Sequence, residues 1–497
     1  MADSTSVSLN IRTGIEGLDD VLGGGVDARR VYLLEGTPGT GKTTIALNFL
    51  IEGARQGERC LYISLSETED ELRAAAGSHG WDLNGIDIFE LIPPESLLDE
   101  EQQQSLLYSS DLELGETTKR IFGEIERLEP ARIVVDSLSE IRLLSQGSLR
   151  YRRQLLALKH YFARLGATVL MLDDLTSDAE DKTVHSIAHG VIRLEELAPD
   201  YGAERRRMRV VKFRGRKFRG GFHDMAITTG GVEVFPRLVS AEHRSSFSRD
   251  MLKTESEELD ALLGGGIERG SSTLILGPAG AGKSLLALTF IQGAIKRGER
   301  AAMLIFDEER DLLIERASGL NIDLQGMIDA GRLMLKQVDA TELTPGEFSW
   351  EVRRAVEADS ARTIVIDSLN GYQAAMPGEQ ALVLHMHELL QYLNRLGATT
   401  FLTVAQHGLV GDMKAPVDVT YLADTVILLR YFEAFGRVRR AMSVVKKRTG
   451  FHEDTIREYQ IGSRGISLGK PLADFQGVLS GVPSFLGEAV LLDRKDA

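Results

Sequence analysis

Residues 36–43 read Gly-Thr-Pro-Gly-Thr-Gly-Lys-Thr, and residues 277–284 read Gly-Pro-Ala-Gly-Ala-Gly-Lys-Ser. Both fit the GxxxxGK(S/T) pattern, in which glycines let successive backbone N–H groups converge on phosphate oxygens at a helix N-terminus, where the helix dipole favours an anion. Lys42 and Lys283 then reach the β- and γ-phosphates. Thr43 and Ser284 offer hydroxyl oxygens to Mg2+, a hard cation that takes oxygen ligands. One such match can be a glycine-rich turn. Two, each after an apolar run and before helical text, specify two nucleotide sites.

Working outward, the rest of the chain repeats as well. TGIEGLDDVLGGGV at Thr13–Val26 returns as TESEELDALLGGGI at Thr254–Ile267, 241 residues later, the interval that also separates Lys42 from Lys283. ARIVVDSLSE with Asp136 returns as RTIVIDSLNG with Asp367, and VVKFRG with Lys212 as VVKKRT with Lys446. The interval between the aspartates is 231, so the first half carries extra residues, assigned to the polar text at Leu98–Ser110. A period this long means duplicated domains, each with its own core. Val31–Leu34, Cys60–Leu65, Ile133–Val135 and Thr168–Leu172 are Val/Ile/Leu-rich runs that alternate with helical segments, the pattern of α/β domains with largely parallel sheets. The expected layout is a first domain over 1–238, a linker over 239–251 in polar text, a second domain over 252–480 and a tail over 481–497.

At 497 residues, 43% hydrophobic and 26% charged, the chain is an ordinary globular one and too long for a single core. Its net charge of −15 disfavours nucleic acid or an anionic membrane as the general partner. The single cysteine, Cys60, excludes an intrachain disulfide and any multi-cysteine metal site, and the cytosol is the expected compartment. No run approaches the roughly eighteen apolar residues of a membrane span, and the first residues lack a signal-peptide layout.

Asp136 and Asp367 end the strands IVVD and IVID, where a carboxylate meets the shell of the metal. Glu67 leaves the strand of LYISLSE, and Asp307 and Glu308 leave that of MLIFDEE. A carboxylate there can orient and deprotonate water or a hydroxyl group for attack on the γ-phosphate, so Glu67 and Glu308 are the candidate bases. Lys212 and Arg214, like Lys446 and Arg448, are spaced i and i+2, which puts each pair on one strand face. Such a pair can stabilise charge on a neighbouring subunit's γ-phosphate, as an arginine finger does. The first pair lies in Arg205–Arg219, where nine of fifteen residues are basic. That strip reads either as a charged interface strand or as a nucleic-acid contact, with only Phe213 and Phe218 to stack on bases. His185, His189, His223, His407 and His452 lack metal-ligand spacing. Trp81 reads as core and Cys60 as a small buried residue.

With these elements assembled, and with HGWDL at His79–Leu83 and LADTVILLRY at Leu422–Tyr431, the chain resembles the KaiC family of double-domain clock ATPases over nearly its whole length. The resemblance implies two tandem RecA-like phosphate-loop NTPase domains, homohexameric double rings with ATP between subunits, and hydrolysis chiefly in the first domain. It also implies phosphate transfer in the second domain to and from hydroxyl side chains of the neighbouring subunit. By position it implies nucleotide contacts at Gly39, Thr40, Gly41, Lys42, Thr43, Thr44, Ser78, Lys212 and Arg214. In the second domain they fall on Gly280, Ala281, Gly282, Lys283, Ser284, Leu285, Arg440, Lys446, Arg448 and His452. The family's adjacent catalytic glutamates fall on Ser66 and Glu67 in one domain and on Asp307 and Glu308 in the other. Its Ser–Thr phosphoacceptor pair falls on Thr420 and Tyr421, the second a phenol rather than an aliphatic hydroxyl. The tail from Ser480 is short beside the family's extended C-terminal segment, so regulation by KaiA is not expected, and a KaiB-like partner stays open. The expected function is a Mg2+-dependent ATPase with serine/threonine autokinase activity in the second domain, acting as a signalling or clock-type ring. The alternatives are a ring ATPase without phosphotransfer and a RecA-like DNA-dependent ATPase working through the Arg205–Arg219 strip.

Overall fold

Val31–Gly36, Cys60–Ser64, Arg132–Asp136 and Thr168–Asp174 are buried almost throughout in the computed structural model. The structure describes residues 10–91, 106–145, 147–175, 182–198, 202–374, 376, 379–406, 420–462, 465–479 and 483–486. Continuous apolar strands separated by helices are what a parallel sheet covered on both faces requires. From one edge the first sheet runs Ile86–Glu90, Cys60–Ser64, Arg132–Asp136, Thr168–Asp174, Val31–Gly36, Gly190–Leu197, Arg205–Phe213, His223–Thr228 and Gly231–Phe235. The first six are parallel, and the last three are added antiparallel.

The second sheet has the same order. It runs Leu333–Gln337, Arg300–Ile305, Ala361–Asp367, Thr399–Ala405, Ser272–Gly277, Thr425–Ala434, Arg437–Lys447, Arg457–Gly462 and Gly465–Pro471. Two compact units result, the first ending at Arg237 and the second starting at Leu238. The segment read as a linker contains the 3-10 turn Ser240–Glu242, and the Ser240 N–H donates to Glu388 Oε2 at 3.2 Å, within the second unit. Of the polar text assigned to the insertion, Leu98 to Ser105 lies outside the described residues, and helix Leu106–Leu128 begins within its last part. Among the described residues no helix is long and apolar enough to cross a membrane.

Each phosphate loop is held by the helix that follows it. In Lys42–Arg55, Ile45, Phe49 and Leu50 are buried, each stabilising the packed state by about 2 kcal/mol. Farther along, a Cβ on Gly53 would meet the Arg132 and Cys60 side chains at under 3 Å. That close approach seats Arg132, fully buried, which donates to the carbonyls of Arg12 and Phe49 and pairs with Glu58. Cys60 is buried beside it, and burial pushes its thiol up to about 12. Trp81 is half-buried and packs on the edge of the same core.

Candidate nucleotide sites

Gly36, Ser64, Asp136 and Asp174 all stand at the carboxyl ends of parallel strands, the place where α/β sheets bind ligands. Gly41 caps the helix in the left-handed region at φ 93°, and Gly282 does so at φ 95°, a conformation that suits glycine. Lys42 Nζ donates to the carbonyls of Gly36 and Thr37, 2.9 Å each, and pairs with Asp174 Oδ1 at 2.7 Å. The Thr40 hydroxyl donates to the Thr37 carbonyl at 2.8 Å, which closes the loop on itself.

The Tyr62 hydroxyl donates to Asp136 Oδ2 at 2.5 Å, and the Thr43 hydroxyl lies near enough to both to pull their pKa values down. A hydroxyl beside a strand-end carboxylate is an oxygen donor set that suits Mg2+. Burial raises the Asp136 carboxyl above its usual range, against the pull of Tyr62 and with the help of Asp174. Glu67 faces a cleft of about 390 Å3 with Thr43, Thr44, Ser66 and His79. Burial, and then the charges of Asp136, Glu71 and Asp174, raise its carboxyl, which suits a base that must take a proton near neutral pH. Ser78 is exposed, and its hydroxyl donates to the Ala75 carbonyl of its own helix at 2.7 Å.

The second site is built alike with different partners. Lys283 Nζ donates to the Pro278 carbonyl at 2.9 Å, and burial lowers its pKa against the charges of Asp367 and Asp307. Asp367 Oδ1 accepts from the Thr403 hydroxyl at 2.5 Å, and Asp307 accepts from Ser368. Gly280, Ser284, Leu285 and Arg316 line a cleft of about 200 Å3. The Ala281 carbonyl accepts from the Tyr459 hydroxyl. Glu308 pairs with Arg316 at 2.7 Å, and its carboxyl is raised by burial and held back by that cation. Ala75 stands at the place of Arg316 in the first domain, so Glu67 has no such pairing from that position.

The basic residues separate into two groups. Arg206 donates to the Gly39 carbonyl at 3.2 Å, and Arg440, at the same place in the repeat, lies over Tyr431, whose hydroxyl donates to the Ala279 carbonyl. Arg206 in the first domain and Tyr431 in the second thus meet their own phosphate loops. Lys212 and Lys446 lie six residues farther along the same strands, roughly 20 Å away. There Lys212 donates to the carbonyls of His185 and Ala188, and Arg214 to that of Ser186. Lys446 donates to the carbonyls of Thr420 and Ala423, and Arg448 to that of Tyr421. Thr420 and Tyr421 thus sit in the turn ahead of strand Thr425–Ala434, with Tyr421 51% exposed. His452 lies beside Gly264, and His407 is outside the described residues.

In the strip, Arg206 pairs with Glu196 and Glu204, Arg207 with Glu195, and Arg219 with Asp20, while Arg207 also covers the Phe222 ring. These arginines are therefore engaged by acids of their own domain. Sequence reasoning missed Asp174 and Arg206. The acidic strand end LMLDD carries the same signal that singled out Asp136. Neighbouring Asp173 is paired with Arg142 at 2.6 Å, and burial pushes its carboxyl up to about 6.

Two such sites on duplicated parallel sheets make this a tandem phosphate-loop NTPase of RecA-like fold. A family model described as "ATPase: KaiC" matches residues 11–239 and again 252–473, and the chain belongs to that family. It is 27% identical to the circadian clock protein KaiC3 of Synechocystis sp., with 96% of this chain and 95% of that protein covered. It is 28% identical to the circadian clock oscillator protein KaiC of Acaryochloris marina, over 98% of this chain and 92% of the relative.

Proposed function

We propose that this KaiC-family ATPase works as a Mg2+-dependent homohexameric ring whose nucleotide sites are completed in trans, and that its second domain transfers phosphate to Thr420 of the adjoining subunit. The observation that carries the reading is the placement of Lys212 with Arg214 and of Lys446 with Arg448. They are tied to backbone carbonyls roughly 20 Å along the strand from Arg206, which meets the same subunit's phosphate loop, and from Arg440, which lies over the tyrosine that does. Cations so placed serve a phosphate supplied by another subunit.

The loop N–H groups and Lys42 or Lys283 hold the phosphates, and Thr43 with Asp136, or Ser284 with Asp367, would hold the metal. Bound Mg2+ supplies charge neutralisation on the phosphate oxygens. Glu67 takes a proton from water in the first domain. In the second, Glu308 takes it from the acceptor hydroxyl, a bond forms from that oxygen to the γ-phosphorus, the bond to the β–γ bridging oxygen breaks, and ADP leaves.

A second reading, a ring ATPase without phosphotransfer, is favoured by the Glu308–Arg316 pair, because a carboxylate held by a cation is a weaker base. Intact-mass and peptide mass spectrometry after incubation with Mg2+–ATP separates the two. Phosphate at Thr420 or Tyr421 that disappears in Lys283→Ala is the expected result. An unphosphorylated chain that still hydrolyses ATP leaves the second reading.

A further inference from the structure

The first domain contains a buried ion cluster that its repeat lacks. Glu35, the residue before Gly36, is 2% exposed. Its Oε1 accepts from Arg193 Nε at 2.7 Å, and its Oε2 lies 2.7 Å from His185 Nε2. Arg193 is its cross-strand partner. His185 comes from helix Lys182–Ile187, and its main-chain carbonyl accepts from Lys212. One residue therefore joins the acid beside the phosphate loop to the seat of the trans-acting cations.

In the repeat, Lys446 binds the Thr420 and Ala423 carbonyls as Lys212 binds those of His185 and Ala188, so Thr420 stands in the place of His185. Leu276 stands in the place of Glu35 and Leu428 in that of Arg193, and these two are again cross-strand partners. Glu, His and Arg are exchanged together for Leu, Thr and Leu. That joint exchange is what a buried carboxylate demands, since it persists only with groups that neutralise it.

We propose that Glu35, Arg193 and His185 form a strut that fixes the carbonyl seat of Lys212 and Arg214, making His185 a positioning residue for the cations that the first domain presents to a neighbouring subunit's nucleotide. The inference rests on the trans-site reading above. Displacing a charge that stabilises the transition state by about 1 Å can cost roughly a hundredfold in rate. The strut's histidine and the second domain's acceptor threonine occupy one structural position. A domain that keeps the strut has therefore given up a hydroxyl at that position.

The test uses full-length subunits that all carry Lys283→Ala, so that only the first domain turns over. His185→Ala is expected to lower kcat for ATP by about tenfold or more with little change in KM, and His185→Gln, which keeps a donor for Glu35, to recover most of it. Mixed with Lys42→Ala subunits, whose phosphate loop is inactive but whose cation seat is intact, His185→Ala is expected to regain activity. Lys212→Ala mixed with Lys42→Ala is the control. If the control regains activity and the His185→Ala mixture does not, His185 acts on its own phosphate loop through Glu35 and the proposal is overturned. An unchanged kcat in His185→Ala overturns it as well. If neither mixture recovers, the trans sites themselves are absent and the ring reading falls along with the strut.

Discussion

At the scale of single residues, the two sites differ most in what holds the phosphate-loop lysine. Asp174 pairs with Lys42, whereas the residue at its place beside Lys283 is Ala405. An incoming triphosphate must share or displace that carboxylate, which also adds negative charge beside Asp136 and Glu67. Asp174→Asn removes both effects. In a Lys283→Ala background it is expected to tighten ATP binding by about threefold to tenfold, as read by titration with a fluorescent nucleotide, in keeping with roughly 1 kcal/mol for a partly exposed ion pair. Weaker binding would mean that Asp174 contributes to holding the metal rather than competing with the phosphates. The same comparison explains why Glu67 and Glu308, found by one sequence argument, are not equivalent. Ala75 leaves the first carboxylate among acids, whereas Arg316 gives the second a cation.

At the scale of elements, each unit contains a histidine held neutral by burial. His223 Nδ1 accepts the Arg237 N–H at 2.9 Å and Nε2 donates to the Arg219 carbonyl at 3.0 Å, while His385 lies between the Ser349 and Tyr372 hydroxyls. Burial pushes each ring down to about 4. The unfolded chain takes up these protons near pH 6.5 and the folded chain only near pH 4, so stability falls as pH drops through that window. At pH 5 the loss is about 2 kcal/mol per histidine. Urea unfolding of the intact chain between pH 7 and pH 5 is expected to show this slope, and His223→Gln to flatten it. The elements themselves were legible in the sequence because strands such as IVVD are apolar throughout and the repeat supplies two readings of each motif. The Glu35–His185–Arg193 cluster was not legible. Its members lie about 150 residues apart in the chain, and only the pairing of Val31–Gly36 with Gly190–Leu197 brings them together. Arg206 was hidden differently, as one of nine basic residues in a strip, with its partner Glu196 supplied by another strand.

At the scale of the whole molecule, the strip's arginines pair with Glu195, Glu196 and Asp20, so phosphate backbones would have to compete with standing ion pairs. Single-stranded DNA is therefore expected to change the ATPase rate by less than about twofold at low salt, where phosphate contacts are strongest. A larger, salt-sensitive stimulation would revive the DNA-dependent reading. The duplication itself keeps strand order and cation seats the same in both halves and alters the surroundings of each lysine. Because Lys42 begins with a carboxylate partner and Ala405 offers none to Lys283, the two halves are expected to fill at different concentrations of the same nucleotide, as nucleotide titration of Lys42→Ala and Lys283→Ala chains would read. As ATP declines, the first half is then expected to empty while the second is still loaded. One polypeptide would then register two set points of the cell's energy charge, the interval between them adjusted by the side chain at position 174.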